Sequence, residues 1–224
     1  MKPWLSEQWC IPPETNAEFV CNMEDILETY MQTYDRRHPL VCMDETSRQH
    51  IKETRVPLAM KQGKSRCYDF EYERKGVSNL FMFFSPTEKW RHVKITDRRT
   101  KTDWADAMKE LADEHYSEAE TITVVMDNLN THGPASFYEA FEPGEARRLS
   151  QRFDFHYTPK HGSWLNMAET ELSILSRQCL ARRIPDQQTL KKETAAWEKD
   201  RNAKCSTIDW QFTTKDARVK LRRL

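Results

Sequence analysis

The sequence predicts an α/β domain, a mixed sheet flanked by helices. Three observations predict it. Two short apolar runs, "PLVCMD" and "ETITVVMD", have the length and aliphatic content of buried strands. Several longer stretches repeat apolar residues at the helical period. The elements then follow one another as a strand cluster, helix, strand, helix, strand, helix, which is the order of a sheet covered by helices.

Residues 1 to about 20 hold three prolines and little periodicity, and read as an arm or linker. "NAEFVCNMEDILETYMQTYD" reads as a helix, with Phe19, Met23, Ile26, Leu27, Tyr30 and Met31 at helical spacing. "PLVCMDETS" is a buried strand that reaches its C-terminal edge in acid. Three strand-like stretches follow: "SRCYDFEYER", "SNLFMFFSP" and "RHVKIT". The first alternates Cys67, Asp69 and Glu71 with Tyr68, Phe70 and Tyr72, the pattern of a half-exposed strand. "KTDWADAMKELADEHY" is helical, with Trp104, Met108 and Leu111 on one face. "ETITVVMDN" is a second buried strand ending in acid, "GPASFYEAF" and "GEARRLSQR" are short helices, and "FDFHYTP" is a strand. A helix opens after residue 163, and "DQQTLKKETAAWEKDRNAK" forms a last long one beyond Pro185. Residues 1–35 are therefore expected to be an arm with a helix, and residues 36–224 one domain.

Composition narrows the function classes. The 224 residues are 38% hydrophobic and include seven Trp, enough to bury a sizeable core. Lys+Arg and Asp+Glu balance at 35 each, so net charge alone says nothing about nucleic acid. The charge is uneven: residues 1–60 carry 6 basic and 10 acidic side chains, whereas 145–224 carry 17 and 10. The basic end, closing in "ARVKLRRL", could track a phosphate backbone or be a solvated helix surface. The six cysteines are scattered without a C-x-x-C pair, which argues against a structural zinc site built on thiolates. No apolar run approaches 18 residues, and a reducing, cytoplasmic setting with free thiols is expected.

Both buried strands end in an aspartate, Asp44 and Asp127. Functional groups gather beyond the carboxyl ends of strands in open sheets. If the two strands are adjacent and parallel, the two carboxylates lie side by side and need a cation. Oxygen-only ligation favours Mg²⁺ or Mn²⁺. A helix preceded by Pro159, Lys160, His161, Gly162 and Ser163 could deliver a third carboxylate from Glu169 or Glu171. These two residues differ by about 200° of helical rotation, so only one can face the metals, and the helical wheel does not choose between them. Gly162 is expected to allow a tight turn and Ser163 to cap the helix, with Asn166 as a weak capping-box partner. Glu45 should point away from Asp44. Trp164 reads as core or as a base-stacking platform.

"CMDETSRQ", "VVMDNLNTH" and "YTPKHGSWLNMAETELS", in this order, resemble the catalytic core of DDE transposases of the IS-630 group in the mariner superfamily. "WCIPPETNAEFVCNMEDILETY" resembles the group's linker, and the residues from "AAWEKDRNAK" onward its C-terminal tail. The resemblance implies a ribonuclease H-like fold and a metal-binding triad of Asp44, Asp127 and Glu169, the last from Asn166-Met167-Ala168-Glu169. It implies Mg²⁺, or Mn²⁺ in its place, as two ions. It also implies cut-and-paste DNA transposition, with transposon ends and TA target DNA as partners, a homodimer, no membrane association, and a DNA-associated location in a bacterial cytoplasm. Lys160, His161, Asn128 and His132, with Asn130, are candidates to meet DNA or to shape the turn. The group's N-terminal DNA-reading region has no counterpart in this sequence. A catalytically silent remnant that binds DNA or pairs with a full-length transposase is therefore the alternative expectation, with a nuclease lacking strand transfer as another.

Overall fold

Five strands form one sheet: β1 (Leu40–Glu53), β2 (Tyr72–Ser85), β3 (Trp90–Thr96), β4 (Ile122–Met126) and β5 (Phe153–Tyr157). In this computed structural model, which describes residues 17–129 and 131–220, their order is β3-β2-β1-β4-β5. β1, β2 and β3 pair antiparallel, while β4 pairs parallel with both β1 and β5. The sheet is thus mixed and helix-flanked, as the sequence predicts. β4 is buried along its whole length, which is why it reads as an unbroken apolar run and not as an alternation.

Alternate residues of each strand feed two cores. Val41 and Met43 of β1, with Phe81 and Phe83 of β2, pack under α2 (Lys101–Glu110), α3 (Pro134–Ala140) and α4 (Pro143–Ser150), where Trp104, Met108 and Phe137 are buried. Cys42, Leu80 and Met82 face the other way, against α1 (Ala17–Tyr30), α5 (Met167–Gln178), α6 (Gln187–Ala203) and α7 (Thr214–Lys220). Phe19, Met23, Ile26 and Leu27 of α1 belong to this second core. Thr100 and Asp103 form a reciprocal capping box at the start of α2.

The structure corrects three details, the "SRCYDFEYER" strand, the end of β1 and Met31, and shows part of the basic tail to be a helix. The predicted strand "SRCYDFEYER" is mostly loop, with Tyr68 and Phe70 exposed, and β2 begins only at Tyr72. From there β2 runs unbroken through Gly76, whose φ of 96° absorbs an irregularity that a side-chain-bearing residue would resist. β1 does not end at its acid either, because its polar second half continues pairing with β2 as far as Glu53↔Tyr72. Met31 lies past the end of α1 and is 61% exposed. Part of the basic tail is α7, which buries Ala217 and pairs Arg218 with Glu24 of α1. Residues 1–16 of the expected arm, Asn130 and the last four residues lie outside the described residues.

Candidate active site

β1 and β4 are parallel neighbours with Cys42 opposite Val125. Asp44 and Asp127 each stand two residues further along, so both return to the α5 face of the sheet, side by side. Asp127 follows the last residue of β4, as expected, but Asp44 lies within β1, opposite Met82 of β2. What ends at Asp44 is the parallel neighbour, not the strand.

The third carboxylate comes from α5. Its N-cap is Asn166, not Ser163, which instead begins a short 3₁₀ turn over Ser163–Leu165. The Asn166 side chain accepts from the Ala168 backbone N–H at 3.0 Å and donates to the Met43 carbonyl at 2.8 Å. One residue therefore caps the helix and ties its first turn to the strand position before Asp44. Glu169 sits in that first turn, half-buried. Glu171 points elsewhere: it is fully buried and ion-paired with Arg201 at 2.6 Å and Arg91 at 3.3 Å. Gly162 is required for a reason other than a left-handed turn. Its φ is −107°, but a Cβ there would lie 2.5 Å from Pro159 Cγ and 2.9 Å from the Pro159 carbonyl oxygen. The left-handed residue is His161, with φ 67°, and histidine is among the side chains that tolerate that region.

The electrostatics follow from crowding of like charges. Burial, and then the negative charges of Glu169 and Asp127, push the Asp44 carboxyl up to about 7, although the Glu45 backbone N–H bonded to it acts the other way. His132 lies behind Asp127, with Nδ1 2.6 Å from Asp127 Oδ1 and Nε2 2.7 Å from Glu45 Oε2. Burial would lower its pKa, but the two carboxylates prevail and raise it to about 9. His132 is therefore an imidazolium at neutral pH. Asp127, Glu45 and His132 converge within 4.8 Å. Among the described residues the Asp44, Asp127 and Glu169 carboxylates do not draw together that closely, as expected of three like charges facing one another.

Of the other candidates, Asn128, Lys160 and His161 are exposed and line one cleft of about 600 Å³ with Asp127. The His132 side chain is 1% exposed, so it is closed to a DNA backbone and acts on Asp127 instead. Trp164 packs edge-on against Phe212 as part of the core. Sequence reasoning missed the roles of Asn166 as clamp and of Glu45 as the second partner of His132. Glu45 does turn away from Asp44, onto the face where His132 lies, and only that three-dimensional contact reveals the link.

Residues 39–191 match the family described as DDE superfamily endonuclease. No curated protein sequence matches the chain. Among solved structures, the Mos1 mariner paired-end complex with Mn aligns at 13% identity and TM-score 0.57, over 89% of this chain and 61% of that one. The Mos1 strand transfer complex aligns at 14% identity and TM-score 0.58, over 89% and 64%. The mariner Mos1 paired-end complex with Mg aligns at 13% identity and TM-score 0.52, over 91% and 67%. The chain thus spans about 61–64% of the length of the first two, and its sheet and helices have the ribonuclease H-like fold.

Proposed function

We propose metal-dependent DNA strand cleavage and strand transfer as the activity of this chain, which belongs to the DDE superfamily of endonucleases. The observation that carries the reading is the parallel register of β1 and β4, which puts Asp44 beside Asp127 on the face from which α5 brings Glu169. The similar Mos1 structures include a strand transfer complex and paired-end complexes with Mn and Mg, which supports both the DNA substrate and the metal.

The donor set fits such ions. Three carboxylates offer oxygen only, the preference of Mg²⁺ and Mn²⁺. Burial first, and then the facing Glu169 and Asp127 carboxylates, disfavour a charged Asp44, and a bound cation would offset both. Asp44, Asp127 and Glu169 would hold two Mg²⁺ ions, with Mn²⁺ able to replace them. When bound, such ions stabilise charge on phosphate oxygens and lower the pKa of a water or hydroxyl. The chain's own residues do the positioning. His132 fixes one Asp127 oxygen, and Asn166 fixes the origin of α5. Exposed Lys160, His161 and Asn128 meet the phosphate backbone along the cleft that leads to Asp127. No serine, tyrosine or cysteine nucleophile is needed, because a water and then the freed 3′-hydroxyl attack phosphorus directly, each attack breaking one P–O3′ bond and releasing that 3′-oxygen as a hydroxyl.

In this reading residues 36–224 are the catalytic domain, transposon ends and TA target DNA are the substrates, and two copies of the chain act together. The test incubates supercoiled plasmid and a pre-cut duplex with the chain in Mg²⁺, Mn²⁺ or EDTA, alongside Asp44→Asn and Asp127→Asn. Metal-dependent nicking and joining, both lost in either variant, is the expected result. Nicking without joining would leave a nuclease, and DNA binding with neither reaction would leave the silent remnant.

A further inference from the structure

The structure holds a second cluster of ligating side chains on the opposite face of the sheet from Asp44. His92 of the edge strand β3, Glu110 at the end of α2 and His115 present ligating atoms that all lie within 4.8 Å of one another. His92 Nε2 is 3.0 Å from Glu110 Oε1, and His115 Nε2 is 4.0 Å from the same oxygen. All three side chains are partly accessible, at 21–28% exposure.

Three features of the surroundings are those of a built site. First, His92 Nδ1 lies 3.2 Å from Glu198 Oε1, and the other Glu198 oxygen accepts the Val93 backbone N–H at 2.9 Å. A carboxylate on the far nitrogen holds the ring with Nε2 toward Glu110, where it can ligate once the proton it shares with Glu110 is displaced, the usual arrangement behind a metal-bound histidine. Second, Lys94 occupies Glu110 Oε2 at 2.7 Å, which leaves Oε1 turned toward the two imidazoles. Third, the helix widens after Glu110 into a π-helical turn over Leu111–His115, closed by the Tyr116 N–H on the Leu111 carbonyl. In a regular α-helix, residues five apart diverge by about 140°. The widened turn takes up the extra residue and brings His115 onto the same side as Glu110. Distortions of this kind recur at functional sites.

We propose that His92, Glu110 and His115 form a binding site for a zinc-class divalent ion, with Glu198 as the outer partner of His92. Two imidazoles and one carboxylate form a donor set typical of zinc, with a fourth position left to water. Oxygen-preferring Mg²⁺ is a poor match. The site uses none of the cysteines, and it is independent of the carboxylate triad. Binding displaces the proton shared between His92 and Glu110, so affinity rises with pH through the histidine range.

The test titrates Zn²⁺ alone into the EDTA-stripped full chain by calorimetry. Every sample carries Asp127→Asn, so that neither the triad nor the Glu45–Asp127–His132 group competes. One Zn²⁺ per chain is expected. His115→Gln, a change on a partly exposed side chain, is expected to weaken binding at least tenfold, and Glu198→Gln by about 10–100-fold. A melt in EDTA establishes that both variants fold. No uptake of Zn²⁺, or equal uptake by folded His115→Gln, would overturn the proposal and leave His92 as an imidazolium shared by Glu110 and Glu198.

Discussion

Asn166 donates its side-chain amide to the backbone carbonyl of Met43 at 2.8 Å, while its own carbonyl oxygen caps the helix that carries Glu169. Two parts of the chain 123 residues apart are thereby locked together. The lock falls one residue before Asp44 and three before Glu169, so a single side chain ties together the two segments that carry these carboxylates. Tyr30 reinforces it from α1 by donating to the Leu165 carbonyl at 2.7 Å.

Asn166→Ala removes both bonds. Loss of the cap costs about 1 kcal/mol, and the carbonyl left without a partner in a buried setting costs about 1–3 kcal/mol more. Asn166→Asp keeps the cap but cannot donate to Met43. Urea denaturation should rank wild type above Asn166→Asp and Asn166→Ala. Both variants should lose metal-dependent nicking beyond what their residual folded fraction explains.

The two glutamates of α5 should separate cleanly. Glu171 neutralises Arg91, which is fully buried and also bonded to Asn202. Glu171→Gln leaves that guanidinium without its charge partner and should destabilise the fold by about 3–5 kcal/mol. Glu169→Gln removes one of several mutually repelling carboxylates, so it should leave the melting temperature unchanged or slightly higher in EDTA. Thermal melts of both variants check this.

The pH dependence has two limbs in EDTA. Asp44 rises from 3.8 to about 7 on folding, so between these values the folded chain holds a proton that the unfolded chain has lost. Stability therefore falls as pH rises across that window. His132 rises from 6.5 to about 9, so its contribution is complete below 6.5 and disappears as pH climbs through 9. Urea midpoints from pH 4 to 10 should decline in both windows. Asp44→Asn should flatten the lower limb and His132→Gln the upper one.

His132 should also matter for metal binding without touching metal. Held between Asp127 and Glu45, it fixes the Asp127 carboxylate from behind, and such outer partners are worth about 10–100-fold in metal affinity. His132→Gln and Glu45→Gln should each raise the Mn²⁺ concentration needed for half-maximal nicking by that order. The rate at saturating Mn²⁺ should change much less.

What could be read from the sequence was local. The run "ITVVM" identified a buried strand, Trp104, Met108 and Leu111 identified a helix face, and the acid at the end of each apolar run located Asp44 and Asp127. What could not be read depended on partners distant in sequence. β1 continues past Asp44 only because β2 lies beside it, so its polar half resembles a loop when taken alone. Glu171 differs from Glu169 because Arg91 from β3 and Arg201 from α6 enclose it, 80 residues before and 30 after. The cap falls on Asn166 and not Ser163 because Ser163 opens a separate 3₁₀ turn, after which the Asn166 side chain accepts the Ala168 N–H. The link from Glu45 through His132 to Asp127 crosses between two strands and a loop, and no spacing rule encodes it.

The most direct test of the central claim is a joining assay with a pre-cut, end-labelled duplex and a target plasmid, comparing wild type, Glu169→Gln and Glu171→Gln in Mg²⁺, Mn²⁺ and EDTA at a temperature where all three are folded. Wild type should join in either metal and not in EDTA, Glu169→Gln should lose joining completely, and folded Glu171→Gln should join. Undiminished joining by Glu169→Gln, or joining in EDTA, would contradict the claim.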